Sequence, residues 1–117
     1  MGNIIVHVAS ALICFSGNCH PALVGSATPE GQYPIVHVRT DLAGYGGDVL
    51  AFAQDAAGVY AIHRVWTLIP RQRRIALLSG KNAQARMHVT EGCINVMPDV
   101  YQALVDCCSR GRVTITG

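Results

Sequence analysis

Charge is scarce in this chain. Nine Lys and Arg and seven Asp and Glu amount to 14% of 117 residues and leave a net charge of +2. So small an excess is too weak to suggest a nucleic-acid binder, whose affinity comes from neutralising many phosphates. No Lys/Arg run is long enough to suit an anionic membrane surface. Aromatic residues are few, at 6%, and there is no internal repeat, linker or low-complexity segment. No C-x-x-C occurs and no two histidines stand at H-x-x-x-H spacing, so neither a zinc site nor any cofactor is expected. The opening MGNIIVHVASALICF has no basic n-region and is interrupted by His7 and Ser10. It reads neither as a signal peptide nor as a membrane span. A cytoplasmic protein, a removed leader and export by another route all fit that reading.

What is present is apolar and β-branched. Half of the residues are hydrophobic, which excludes disorder. The length fits one domain, 1–117, able to bury a core without relying on disulfides. NIIVHV, ALICF, HPALVG and QYPIVHV read as short strands, punctuated by turns at Ser16-Gly17-Asn18 and Thr28-Pro29-Glu30-Gly31. GYGGD, residues 44–48, is a loop. LAFA and VYAIHRV flank QDAAG as a hairpin with a five-residue loop, with a helix over DVLAFAQDAA as the rival. Residues 67–89 suggest loop or short helix, with ARMHVT as a strand. Pro98 and Asp99 start a helix that carries Val100, Leu104, Val105 and Cys108 on one stripe and stops at Gly111. RVTIT closes as a strand. About seven strands and one helix predict a mainly β fold: an antiparallel sandwich or open barrel with one packed C-terminal helix.

Five cysteines cannot all pair, so at least one thiol is free within the chain. Cys14 and Cys19 are expected to be ordinary buried thiols, with a hairpin disulfide as the alternative. For Cys107 and Cys108, packing and a bridge stay open. Cys93 stands apart, between Gly92 and an apolar residue in HVTEGCINV, residues 88–96. A cysteine attacks a carbonyl as its thiolate, so it needs an adjacent base or a lowered pKa. Gly92 permits a sharp turn, and nearby amides could then face a developing oxyanion. His63 and His88 are the candidate bases. His63 lies at the end of an apolar run, where packing would hold its backbone, and a half-buried strand histidine is its plain alternative. His88 is close in sequence, but five residues along an extended chain is too far for direct contact unless the chain folds back. Arg71, Arg73 and Arg74 form one basic cluster. A solvated loop is its default reading and a patch for an anionic substrate the other.

Taken in order, TPEGQYPI at 28–35, AIHR at 61–64, TEGCIN at 90–95, PDVYQALVDCC at 98–108 and RVTI at 112–115 resemble the motifs of the L,D-transpeptidase catalytic domain (the YkuD-type family). The chain looks like a short outlying member, and the likeness covers about residues 10–116. It implies acyl transfer on peptidoglycan stem peptides, in the periplasm or cell wall, by transpeptidation or carboxypeptidase action. Cys93 would be the nucleophile and His63 the base, with the Arg64 carbonyl holding the ring tautomer. Amides of Gly92 and Cys93 would form the oxyanion hole, and Thr90 and Asn95 would shape the loop. Arg64 stands where the family has glycine and Glu91 where it often has histidine. Arg64 would then contact substrate carboxylates, with Glu91 and Arg86 also at the substrate. Glu91 would remove one oxyanion contact. The long stretch LIPRQRRIALLSGKNAQ would add a lid or loop near the site. A catalytically silent domain of the same fold, binding wall fragments or a protein partner, is the alternative.

Overall fold

The structure, a computed structural model, describes residues 2–117. Nine strands form two sheets. The first has the order β3 (Asn18–Pro21), β2 (Leu12–Phe15), β1 (Asn3–His7), β9 (Arg112–Thr116), β4 (Gly31–Pro34). The second has the order β5 (Val36–Arg39), β6 (Asp48–Asp55), β7 (Gly58–Arg64), β8 (Ile94–Val96). Among the described residues there are three α-helices, α1 (Arg74–Ser79), α2 (Ala83–Arg86) and α3 (Pro98–Cys108), and two short 3-10 turns, Val8–Ser10 and Pro70–Gln72. The expected mainly β sandwich with a packed C-terminal helix is present, and no barrel closes. Each sheet also holds one parallel pair, β1 with β9 and β7 with β8.

The core follows from the alternation of side chains along strands. Ile4 and Val6 of β1, Val113 and Ile115 of β9, and Leu50 and Phe52 of β6 all turn into one cluster. Ile62 and Ile94 meet there from β7 and β8, and α3 adds Tyr101, Leu104 and Cys108. Each such side chain contributes about 1.5–3 kcal/mol by leaving water. Pro98 lies in the first turn of α3 with Asp99 beside it, as the sequence predicts.

Several expectations need correction. QYPIVHV is two strands: Ile35 is buried and its amide binds the Gly111 carbonyl, so the chain changes sheets there. The β6–β7 hairpin stands, but its connection is tighter than five residues, since Asp55 pairs with Gly58. The Asp55 carboxylate accepts the Ala57 amide in the turn. ARMHVT is not a strand. The Asn82 side chain caps α2, which takes Arg86 with it. Cys14 and Cys19 are disulfide-bonded rather than free, because they face each other directly across β2 and β3 with Cα atoms 4.0 Å apart. Cys107 and Cys108 are joined as well. That leaves Cys93 as the one free cysteine among the described residues.

Candidate active site

The site grows from the β7–β8 pair. The two strands run parallel, with Ile62 opposite Ile94 and His63 opposite Asn95. Ile62 and Ile94 point into the core, so their neighbours His63 and Asn95 point out of the other face. Cys93 lies two residues before Asn95 and shares that face. The thiol and the imidazole are thus brought to one side of two adjacent strands. Both line a single cleft of about 560 Å³, with Tyr45, Tyr60, Trp66, Arg74, Thr90, Glu91 and Asn95 among its walls.

His63 is almost fully buried. Its Nδ1–H donates to the Arg64 carbonyl at 2.7 Å, which leaves the Nε2 lone pair toward the cleft. The Asn95 amide nitrogen lies 3.5 Å from Nε2. Asn95 is held in that orientation because its Oδ1 accepts from the Trp66 amide at 3.0 Å and from Arg74 at 3.1 Å. Tyr45 meets the imidazole edge-on, with centroids 4.7 Å apart. Burial pulls the His63 pKa below its ordinary 6.5, and the Arg74 charge lowers it further against the opposing Arg64 carbonyl. Burial raises the Cys93 thiol above 9, more than a backbone hydrogen bond from Ala61 and the Arg74 charge bring it down. The resting pair is therefore neutral thiol and neutral imidazole. The thiol points along β7, with its sulfur 3.8 Å from the Val59 carbonyl.

The turn before Cys93 is over-determined. Gly92 has φ +135°, and a side chain there would collide with the Tyr60 ring. Its carbonyl accepts from buried Thr28 at 2.8 Å. Thr90 Oγ1 donates to the Cys93 carbonyl at 2.6 Å and accepts the Gly92 amide at 3.1 Å. That last bond already occupies the Gly92 N–H, one of the two amides expected to form the oxyanion hole. Gly25 allows a second close approach, since any Cβ on it would strike the Thr90 carbonyl and the Gly92 amide. Thr28, which ties the TPEG turn to this loop, carried no sequence signal beyond its place before Pro29.

Two expected substrate contacts lie elsewhere. Arg64 turns away from the cleft, because its side chain leaves β7 on the face opposite His63. Its guanidinium binds Asp48 at 2.7 Å and the carbonyls of Tyr45 and Gly46, and covers the Tyr101 ring at 4.3 Å. Asp48 also accepts from His37 at 2.6 Å and Tyr101 at 3.0 Å. Burial pushes the Asp48 carboxyl up, but these hydrogen bonds outweigh it and hold it below its usual range. Arg86 is buried and donates to carbonyls of Ala11, Ser10 and Gly80, which pins the 67–89 segment to the first sheet. Glu91 does line the cleft. His88 is exposed and does not.

The 67–89 segment forms one wall of the cleft. Leu78 of α1 packs with Leu23 and Val65 in a small second core. Trp66, Ile69, Gln72 and Arg74 then face the cavity. Arg74 is a cleft residue that sequence reasoning left within a solvated cluster. Three arginines in four residues carry no mark of which one turns inward.

This arrangement of sheets and helices matches solved structures. An L,D-transpeptidase from Mycobacterium tuberculosis aligns with 99% of this chain and 57% of its own, at 14% identity and a TM-score of 0.64. L,D-transpeptidase 3 of the same organism, in complex with a faropenem-derived adduct, gives 99%, 60%, 10% and 0.66. An L,D-transpeptidase from Stackebrandtia nassauensis gives 99%, 55%, 13% and 0.62. The chain has the L,D-transpeptidase fold. It spans between 55% and 60% of the length of these three neighbours. No protein-family model and no curated protein matches it.

Proposed function

We propose that the chain is a cysteine acyltransferase of the L,D-transpeptidase type, acting on peptidoglycan stem peptides at the cell wall. The observation that carries this reading is the shared cleft. The one free thiol among the described residues and a histidine whose Nε2 meets only the Asn95 amide, at 3.5 Å, line the same cavity on the L,D-transpeptidase fold. In the first step, Cys93 attacks the carbonyl of the stem residue preceding the terminal D-amino acid. Nε2 of His63 takes the thiol proton as the carbon–sulfur bond forms. Because both groups rest neutral, proton transfer accompanies attack. The Cys93 amide stabilises the oxyanion, a contribution of roughly 3 kcal/mol. The carbon–nitrogen bond then breaks, and the imidazolium protonates the departing amine. The thioester is released by an amine of a second stem or by water. His63 deprotonates that acceptor and the proton returns to the sulfur.

The test is acylation. A carbapenem incubated with the protein should add its whole mass to Cys93, because the opened lactam stays bound as a thioester. Mass spectrometry of stem tetrapeptide digests should show loss of D-alanine, with a cross-linked product marking transpeptidation and a free tripeptide marking carboxypeptidase action. Absence of both the adduct and any peptide product would leave the silent-domain reading in its place.

A further inference from the structure

The cleft holds one permanent cation. Arg74 lies half-buried in its wall, and among the described residues no carboxylate is within ion-pair distance of it. Two of its five N–H groups are committed, Nε to Gln72 Oε1 at 2.9 Å and Nη1 to Asn95 Oδ1 at 3.1 Å. The guanidinium lies over the Trp66 ring, 5.3 Å from its centroid. These contacts fix the plane of the group and leave three donors without protein partners. Both neighbours offer neutral oxygen, so they orient the charge without compensating it. The other charged arginines near the site are used up. Arg64 is paired with Asp48, and Arg86 is buried against backbone carbonyls.

Resting on the acyl-transfer reading for the identity of the reaction, we infer that Arg74 is the specificity group for an acyl donor bearing a free carboxylate close to the scissile carbonyl. A planar guanidinium with free N–H groups on one edge matches a carboxylate bidentately, which a lysine or a neutral donor does not. Placement adds a second effect. Arg74 reaches His63 through one side chain, Asn95, and its charge opposes protonation of the imidazole. A carboxylate on Arg74 compensates that charge, so the correct substrate makes His63 a stronger base as it binds. Arg74 thereby acts on the donor directly and on the base through its field.

Alkylation of Cys93 tests the cationic contact without assuming acyl transfer. The remaining cysteines are in disulfides, so the 117-residue chain reports on one thiol. The probes are iodoacetate and iodoacetamide, which differ by a carboxylate. The ratio of their rates cancels any change in thiol pKa. Arg74→Gln should lower the iodoacetate-to-iodoacetamide ratio by about tenfold, the weight of one charge-assisted contact. Arg74→Lys should restore only part of the ratio, since it keeps the charge but loses the bidentate fork, and added salt should depress the ratio in the wild-type protein. Arg71→Gln, outside the cleft lining, should leave it unchanged. An Arg74→Gln ratio equal to wild type, or a lysine variant no better than glutamine, overturns the inference. With stem peptides, Arg74→Gln should cost the free acid far more than its C-terminal amide. An equal loss on both overturns the assignment to a substrate carboxylate. No turnover of either peptide by the wild-type protein would count against the acyl-transfer reading alone, and the alkylation ratio would still decide the role of Arg74.

Discussion

On the inner face of the β7–β8 pair, Ile62 and Ile94 are fully buried among aliphatic side chains. One residue further along each strand, on the outer face, His63 and Asn95 are as deeply buried but in polar company. The same hydrogen-bonded backbone serves both. Inside, any apolar side chain of the right volume satisfies the packing. Outside, each atom has an assigned partner: Nδ1 to a carbonyl, Oδ1 to an amide and a guanidinium, Nδ2 to the imidazole. Changes on the inner face should therefore act on stability and changes on the outer face on rate.

The sharpest way to break that contrast is to remove the reacting groups. Cys93→Ala should abolish turnover, and His63→Gln should lower kcat/KM by about 10²–10⁴-fold. Thermal unfolding should shift little in the cysteine variant, since only a half-buried sulfur is lost. Full activity in either variant sinks the assigned roles. Next comes the inner face. Ile62→Ala should cost about 2–5 kcal/mol in denaturant unfolding, while kcat per folded molecule stays within a few-fold of wild type. A large loss of kcat at preserved stability would mean the two faces are not separable. Thr28→Val removes the donor to the Gly92 carbonyl. It should cost about 1–2 kcal/mol of stability by orphaning a buried acceptor, and it should slow Cys93 acylation. Unchanged acylation would show that the Gly92 turn holds itself.

The smallest effect is in pH. Burial depresses His63 and raises Cys93, so kcat/KM should be flat between a limb below 6.5 and a limb above 9. An acid limb above 6.5 would contradict the neutral pair. Stability follows the same sign. The unfolded chain takes up the histidine proton near 6.5 and the folded chain only at lower pH. The contribution of the buried neutral ring is thus complete above 6.5 and is lost as pH falls below it.

Local patterns were readable in the chain where neighbours in sequence decide the outcome. The β6–β7 hairpin, the Pro98–Asp99 start of α3 and the RVTIT strand all rest on alternation or capping within a few residues. The thiol after Gly92 and the histidine at a strand end were legible as candidates because so few other groups qualified, and both line one cleft. Misreadings came from long-range geometry. Arg64 was placed at the substrate for being next to His63, yet neighbours on a strand face opposite ways. ARMHVT has β-prone residues, but Asn82 upstream caps a short helix that takes in its first two, Ala85 and Arg86. Arg86 and Arg74 belong to one segment and end in opposite settings, one against the first sheet and one in the cleft. Nothing within that segment distinguishes them. The parallel partners β1 with β9 and β7 with β8 lie far apart in sequence, and no local rule names such pairs.

Parallel neighbours cannot be joined by a tight turn, since the end of one lies a full strand length from the start of the next. The chain leaving Arg64 must travel back before it can enter Ile94, and here its route passes along the reactive side. A connection that topology demands in any case is thus available to discriminate among donors. Apart from its anchors Leu78 and Arg86, its residues can vary without disturbing the buried aliphatic layer.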